Sequence, residues 1–162
     1  LIRDEPWGAA LDQAPASSAR FDAAVSFGFF HHIPSADLRE RALRALVGAV
    51  RPGGVVIASL WRFLDDERLA AKAERSHPDA LAALAPAARS QLGLDLAAQL
   101  EEGDRFLGWQ GASGLWRYCH SFSEEEIDRL ADAVVDVACE VARFRSDGKS
   151  GRLNAYLIVR KH

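Results

Sequence analysis

The sequence predicts an α/β fold: a partial, Rossmann-like sheet with a helical cap inserted between its strands. Three observations predict it. A short apolar run, Phe21 to Phe27, precedes a helix-patterned segment, an Arg51-Pro52-Gly53-Gly54 turn and a second apolar run, Val55 to Trp61. That is a strand–helix–strand unit, whose crossover is right-handed. Two further strand-like runs, near 136–144 and 154–160, close the chain across a connection short enough for an antiparallel hairpin. Between the two strand pairs lie residues 64–122, first rich in helix formers and then in aromatics and glycines. With 162 residues, 49% hydrophobic and 27% charged, the chain is one domain, 1–162, with a core of its own.

Residues 1–20 read as irregular, with Pro6, Pro15, Ser17 and Ser18 as breakers. Phe21–Phe27 is nearly continuous in apolar residues, which suits a parallel strand covered on both faces. Gly28 to Pro34 is a loop, and Ser35 caps a helix with Leu38, Ala42, Ala45, Leu46, Ala49 and Val50 at helical spacing. In the turn that follows, Pro fixes φ at its second position and Gly accepts a positive φ at its third. Residues 64–102 are helical by composition, with Pro78 and Pro86 expected to break them into pieces. Gly103 to Phe122, holding Trp109, Trp116, Tyr118 and Phe122, reads as a structured aromatic loop. Ser123 with Glu126 three residues on forms a capping box, opening a helix whose apolar face is Ile127, Leu130, Ala131 and Val134. Val135, Val137, Cys139 and Val141 alternate with polar residues as one strand, and Ala155–Val159 forms another.

The net charge of −3 excludes a generally basic nucleic-acid coat. A local basic face is expected from Arg143, Arg145, Lys149, Arg152, Arg160 and Lys161, near a single Asp147. Two cysteines, Cys119 and Cys139, are too few for a secreted framework and lack zinc spacing, so they read as reduced thiols of a cytoplasmic protein. No apolar run reaches the length of about 18 residues that a membrane span needs. The chain begins at Leu1 and has no methionine, which points to a processed or truncated chain.

Open α/β sheets bind ligands beyond the carboxyl ends of their strands, here Ser26-Phe27-Gly28 followed by Phe29-Phe30-His31-His32-Ile33. The series Phe21-Asp22-Ala23-Ala24-Val25-Ser26, His31-His32-Ile33-Pro34, helix, Arg51-Pro52-Gly53-Gly54 and apolar strand resembles the second half of a class I S-adenosylmethionine-dependent methyltransferase. The four strands would then be equivalents of that family's strands 4, 5, 6 and 7, with 64–122 as a cap insertion. Arg117-Tyr118-Cys119-His120-Ser121-Phe122 and the closing Asn154–Lys161 resemble a narrower branch, which esterifies a carboxymethyl group on the wobble uridine of tRNA. Cys119 replaces a tyrosine of that branch's pattern.

The resemblance implies S-adenosylmethionine as cofactor, contacted by Ser26, Phe27, Gly28 and His31, with Asp12 as a remnant of an upstream contact. It implies either tRNA or a small carboxylic or phenolic molecule as acceptor. A carboxylate acceptor is already ionised near pH 7 and needs no general base, so orienting groups matter most. Arg117 and His120 are the candidates for catalysis on those grounds, and Trp109, Tyr118 and His32 for holding the substrate. No metal is expected: His31 and His32 should point apart, with no third ligand at metal spacing. The family's Gly-rich cofactor loop does not occur before Phe21. A second hypothesis is therefore a non-catalytic remnant, completed by an upstream segment, another chain, or a second copy pairing along the 21–27 strand.

Overall fold

A computed structural model describes residues 21–109 and 114–162. Its main sheet has four strands, β1 (Phe21–Ser26), β2 (Val50–Trp61), β5 (Ala138–Ser146) and β6 (Asn154–Lys161), in the order β1-β2-β6-β5. β1 and β2 are parallel, while β6 runs antiparallel to both β2 and β5. Helix α1 (Ala36–Ala49) makes the crossover between the parallel pair. The expected four-strand arrangement is therefore present, with the sheet mixed as the hairpin required.

Alternation in the two central strands builds the core. Val56, Ala58 and Leu60 of β2 and Ala155, Leu157 and Val159 of β6 are buried on one face. They pack with Leu38, Leu43 and Val47 of α1 and with Ile127 and Leu130 of α3 (Glu124–Asp132). The buried stripe of α1 is rotated from the expected one: Leu43 and Val47 are fully inside, and Ala45 and Leu46 only half so. Both caps form as the sequence indicates. Ser35 Oγ accepts from Leu38 N, and Ser123 and Glu126 complete a reciprocal capping box.

The Arg51–Gly54 turn is a bulge inside β2. Pairing jumps from Phe21↔Val50 to Ala23↔Val55, and Gly53 takes φ +76°. At Gly54 a Cβ would lie 2.9 Å from both the Arg51 carbonyl oxygen and the Val50 Cβ, so only glycine fits there.

Two expectations for the cap are corrected. Pro78 and Pro86 lie inside one helix, α2 (Glu67–Leu92), which they do not break. Each proline forfeits one intrahelical bond, but Ala73, Ala80 and Ala88 are buried against neighbouring elements, and that packing holds the helix together. The aromatic segment is a two-stranded sheet, β3 (Asp104–Gly108) and β4 (Trp116–His120), with α2 packed on it. Leu107 and Cys119 bury against Phe63 on one side, and Phe106 against Leu96 and Ala80 on the other. Among the described residues, no helix is long and apolar enough to cross a membrane.

β1 is not covered on both faces by the described residues. Phe21 and Val25 of β1, and Phe27 just after it, are 62%, 57% and 58% exposed, and among the described residues β1 finds a strand partner only in β2. In β5, likewise, Val141 and Phe144 are exposed, and a bulge at Val141 breaks the expected alternation. An apolar, unpaired edge is a template for pairing. Leu1–His162 by itself should therefore elute in light-scattering chromatography as a dimer or larger, and Val25→Lys should return it to monomer. A wild-type monomer at high concentration would contradict this.

Candidate functional site

The carboxyl ends of β1 and β2 are tied together before anything is built on them. Gly28, at φ +65°, donates its N–H to Ser59 Oγ at 2.9 Å, and a Cβ at Gly28 would meet nothing within 4 Å. Phe30–His32 then turns once as a short 3-10 helix, anchored by the fully buried Phe30. That turn sets His31 and His32 side by side, their rings 4.0 Å apart, which corrects the expectation that they diverge. A helical turn projects adjacent side chains about 120° apart or less, where an extended loop would oppose them.

β4 of the cap docks on this turn. His32 Nδ1 lies 3.0 Å from the Tyr118 carbonyl oxygen and donates to it. Period two then sorts β4 into two faces. Arg117 and Cys119 face the histidine turn and the end of β2. The Arg117 guanidinium sits over the rings of both Trp61, at 5.7 Å, and Trp109, at 5.5 Å. No carboxylate among the described residues pairs with Arg117, and its Nε is buried without a hydrogen-bond partner. His31 also packs on Trp61, ring centres 4.9 Å apart. Its Nδ1 is buried and unpartnered, and burial, helped by His32 and Arg117, pushes its pKa down to about 3, so the ring is neutral.

The other face of β4 carries Tyr118 and His120, and it is structural. Asp104 Oδ1 accepts from the Tyr118 hydroxyl and from His120 Nδ1, both at 2.6 Å, while its Oδ2 accepts from Glu101 N. His120 is fully buried, and its Nε2 stands 3.0 Å from Glu126 Oε1. Glu101 in turn pairs with Arg39, which is 2% exposed and reaches the Ile33 carbonyl. The chain thus links α1, the histidine turn, the cap and α3 through one polar network. Burial would lower the His120 pKa, but the Asp104 and Glu126 carboxylates outweigh it and raise it. Burial similarly raises the Tyr118 phenol, reinforced by Asp104.

Arg117 and His120 therefore do not share a face, which corrects their pairing as joint catalytic groups. Tyr118 likewise gives its hydroxyl to Asp104 instead of presenting it beside Arg117. Cys119 and His120 cannot form a nucleophilic pair, being on opposite faces, and burial pushes the Cys119 thiol up to about 11. The sequence-derived set that does converge is His31, His32, Trp109 and Arg117; Gly28 bonds Ser59 and the exposed Phe27 packs its ring on Tyr156. Asp12 lies outside the described residues. Trp61, Asp104 and Glu126 were not anticipated. Trp61 carried a usable signal, as the last residue of a strand at the ligand end of the sheet; Glu126 was legible only as a capping-box residue, and nothing local joined either carboxylate to His120.

Glu126 offers a test of the network. Burial works against its ionised form, but His120 and the Ser123 N–H hold its pKa down to about 2. A depressed carboxyl contributes stability above its unfolded value, lost as pH falls toward the folded one. The protein should lose roughly 2 kcal/mol through this group between about pH 5 and pH 2. In Glu126→Gln, that part of the acid slope in thermal melts should disappear.

The expected basic face is largely spent. Arg143 is bracketed by Glu124, Asp128 and Glu140, and Arg145 is held by Asp65. Lys161 donates to the Val50 carbonyl. Lys149, Arg152 and Arg160 remain, the first two on the β5–β6 loop and Arg160 on β6. Because Asn154 pairs with Trp61, that loop emerges at the same carboxyl end as the histidine turn.

Residues 7–58 match the family model described as a methyltransferase domain. A tRNA (carboxymethyluridine(34)-5-O)-methyltransferase of Arabidopsis thaliana is 40% identical over 40 residues, 25% of this chain and 10% of that protein. A SAM-dependent methyltransferase from Methanosarcina mazei superposes with a TM-score of 0.59 at 16% identity, over 92% of this chain and 64% of its own. A 1,6-didemethyltoxoflavin-N1-methyltransferase from Burkholderia thailandensis, bound to 1,6-didemethyltoxoflavin and S-adenosylhomocysteine, gives 0.51 at 18% identity, over 93% and 48%. The chain thus spans less than two thirds of each of these proteins. Its likeness to the methyltransferase-domain model is confined to residues 7–58, and over most of its length it shares the mixed α/β fold of SAM-dependent methyltransferase structures.

Proposed function

We propose that this chain forms the acceptor-binding part of an S-adenosylmethionine-dependent methyltransferase, acting on a carboxylate, with the carboxymethylated wobble uridine of tRNA as its acceptor. One observation carries the reading: a partly buried arginine, Arg117, with no carboxylate partner among the described residues, set over two indoles at the carboxyl end of the sheet. A planar guanidinium so placed is ready to grip a carboxylate through two parallel hydrogen bonds.

The residues present suit the cofactor. Gly28 leaves open space at the end of β1, Phe27 exposes a ring beside it, and Ser26 and His31 flank them. When bound, the cofactor supplies an electrophilic methyl group. This chain's own task is then positioning, since in-line displacement by an ionised carboxylate needs no proton removed. Arg117 would fix the acceptor oxygen, Trp61 and Trp109 would fix Arg117 and flank a base, and the half-buried His32 would line the entrance. His120 acts at a distance, by holding β4 through Asp104. The tRNA branch draws support from the short Arabidopsis likeness and from Lys149 and Arg152 at the same end of the sheet.

The test supplies methyl-labelled cofactor and the full-length protein with bulk tRNA lacking the ester. Label should enter tRNA and be released as methanol by mild base, as an ester requires. Base-stable label would mean an O- or N-methyl acceptor. Label only in small carboxylates would move the substrate to that class, and no transfer to any acceptor would favour the non-catalytic remnant.

A further inference from the structure

We propose that His31, His32 and Cys119 form a binding site for one zinc-type cation, with a fourth coordination position left open. One ligand atom from each of the three lies within 4.8 Å of the others. They come from places 87 residues apart in the chain, brought together by the docking of β4 on the histidine turn, so sequence spacing could not reveal them.

Three features distinguish this cluster from a chance meeting. First, His31 is 9% exposed, and its Nδ1 is buried with no hydrogen-bond partner, a costly state that a metal bond would relieve. Second, His32 donates Nδ1–H to the Tyr118 carbonyl, which fixes its tautomer and leaves Nε2 with a free lone pair. Metal-ligating histidines are typically oriented by such a bond. Third, the set of two imidazoles and one thiol is a set zinc accepts, and three protein ligands leave a position for water or substrate. Tetrahedral ligation brings donor atoms to roughly 3.3–3.8 Å from one another, so the side chains must close by about 1 Å.

On binding, Cys119 would give up its Sγ proton to solvent and ligate as thiolate. Arg117 favours that thiolate, while its charge opposes a dication. The local charge of metal plus thiolate is then +1, next to Arg117, which suits an anionic fourth ligand such as a carboxylate. The inference goes beyond the proposed transfer reaction and does not depend on it. With His31 ligating a metal, cofactor contact would rest on Ser26 to Gly28.

Cobalt(II) is the probe, titrated into the reduced protein, followed by competition with zinc. One equivalent should produce a thiolate-to-cobalt charge-transfer band and tetrahedral visible bands, both erased by zinc. Cys119→Ser should abolish the charge-transfer band, and His31→Gln or His32→Gln should weaken binding by 10-fold or more. His32, only half-buried, serves as the variant least apt to disturb folding, checked by circular dichroism. Cobalt bound without a thiolate band would place the ion elsewhere, for instance at Glu101, His120 and Glu126, and would overturn the proposal. So would the absence of stoichiometric binding. Neither result decides whether methyl transfer occurs, which the labelled-cofactor assay measures separately.

Discussion

Asp104→Ala should cost about 3–5 kcal/mol of folding stability, the range for removing one member of a buried charged network. Three donors converge on the Asp104 carboxylate, from Tyr118, His120 and the Glu101 backbone, and it is 3% exposed. Its loss strands all three donors, one of them on the fully buried His120. Asp104→Asn keeps oxygen acceptance but not the charge, and should fall between the two. Since a domain's whole net stability is about 5–15 kcal/mol, the alanine variant should be near unfolding at physiological temperature. Urea denaturation measures the difference. A loss below about 1 kcal/mol would show that the network is solvated and does not hold the cap.

Arg117→Ala should lower kcat/KM for a carboxylate acceptor by 10²- to 10³-fold, about 3–4 kcal/mol of transition-state stabilisation, while leaving the melting temperature nearly unchanged. The two effects separate because Arg117 contacts indoles and has no carboxylate partner among the described residues. Arg117→Lys keeps the charge but loses the planar fork, and should recover only part of the rate. An equal fall for Lys and Ala would point to geometry as the whole of the contribution. Unchanged kinetics in Arg117→Ala would leave it as packing for Trp61.

Much of the fold was legible because its signals are local. The apolar run at 21–27, the Ser35 and Ser123 caps and the β5–β6 hairpin each declare themselves within a few residues. What escaped the sequence depends on contacts made far along the chain. Pro78 and Pro86 read as breaks because local propensity decides the reading until a packed surface overrides it. The β3–β4 sheet read as a loop because its alternation is masked by glycines at 103, 108, 111 and 114. At the site, Arg117 and His120 looked like partners until strand periodicity placed them on opposite faces. Cys119 and His31 gave no joint signal, being joined only by the docking of the cap.

The acceptor assignment turns on one comparison: binding of a tRNA carrying the carboxymethyl group against the same tRNA with that group as its amide, which is no nucleophile and so reads recognition alone. The two differ in charge but scarcely in shape. Wild-type protein should bind the carboxylate tighter by 10²-fold or more in Kd, about 2.7 kcal/mol, and Arg117→Ala should lose most of that preference. Equal affinities for both, or a preference that survives in Arg117→Ala, would contradict the assignment of Arg117 as the carboxylate anchor.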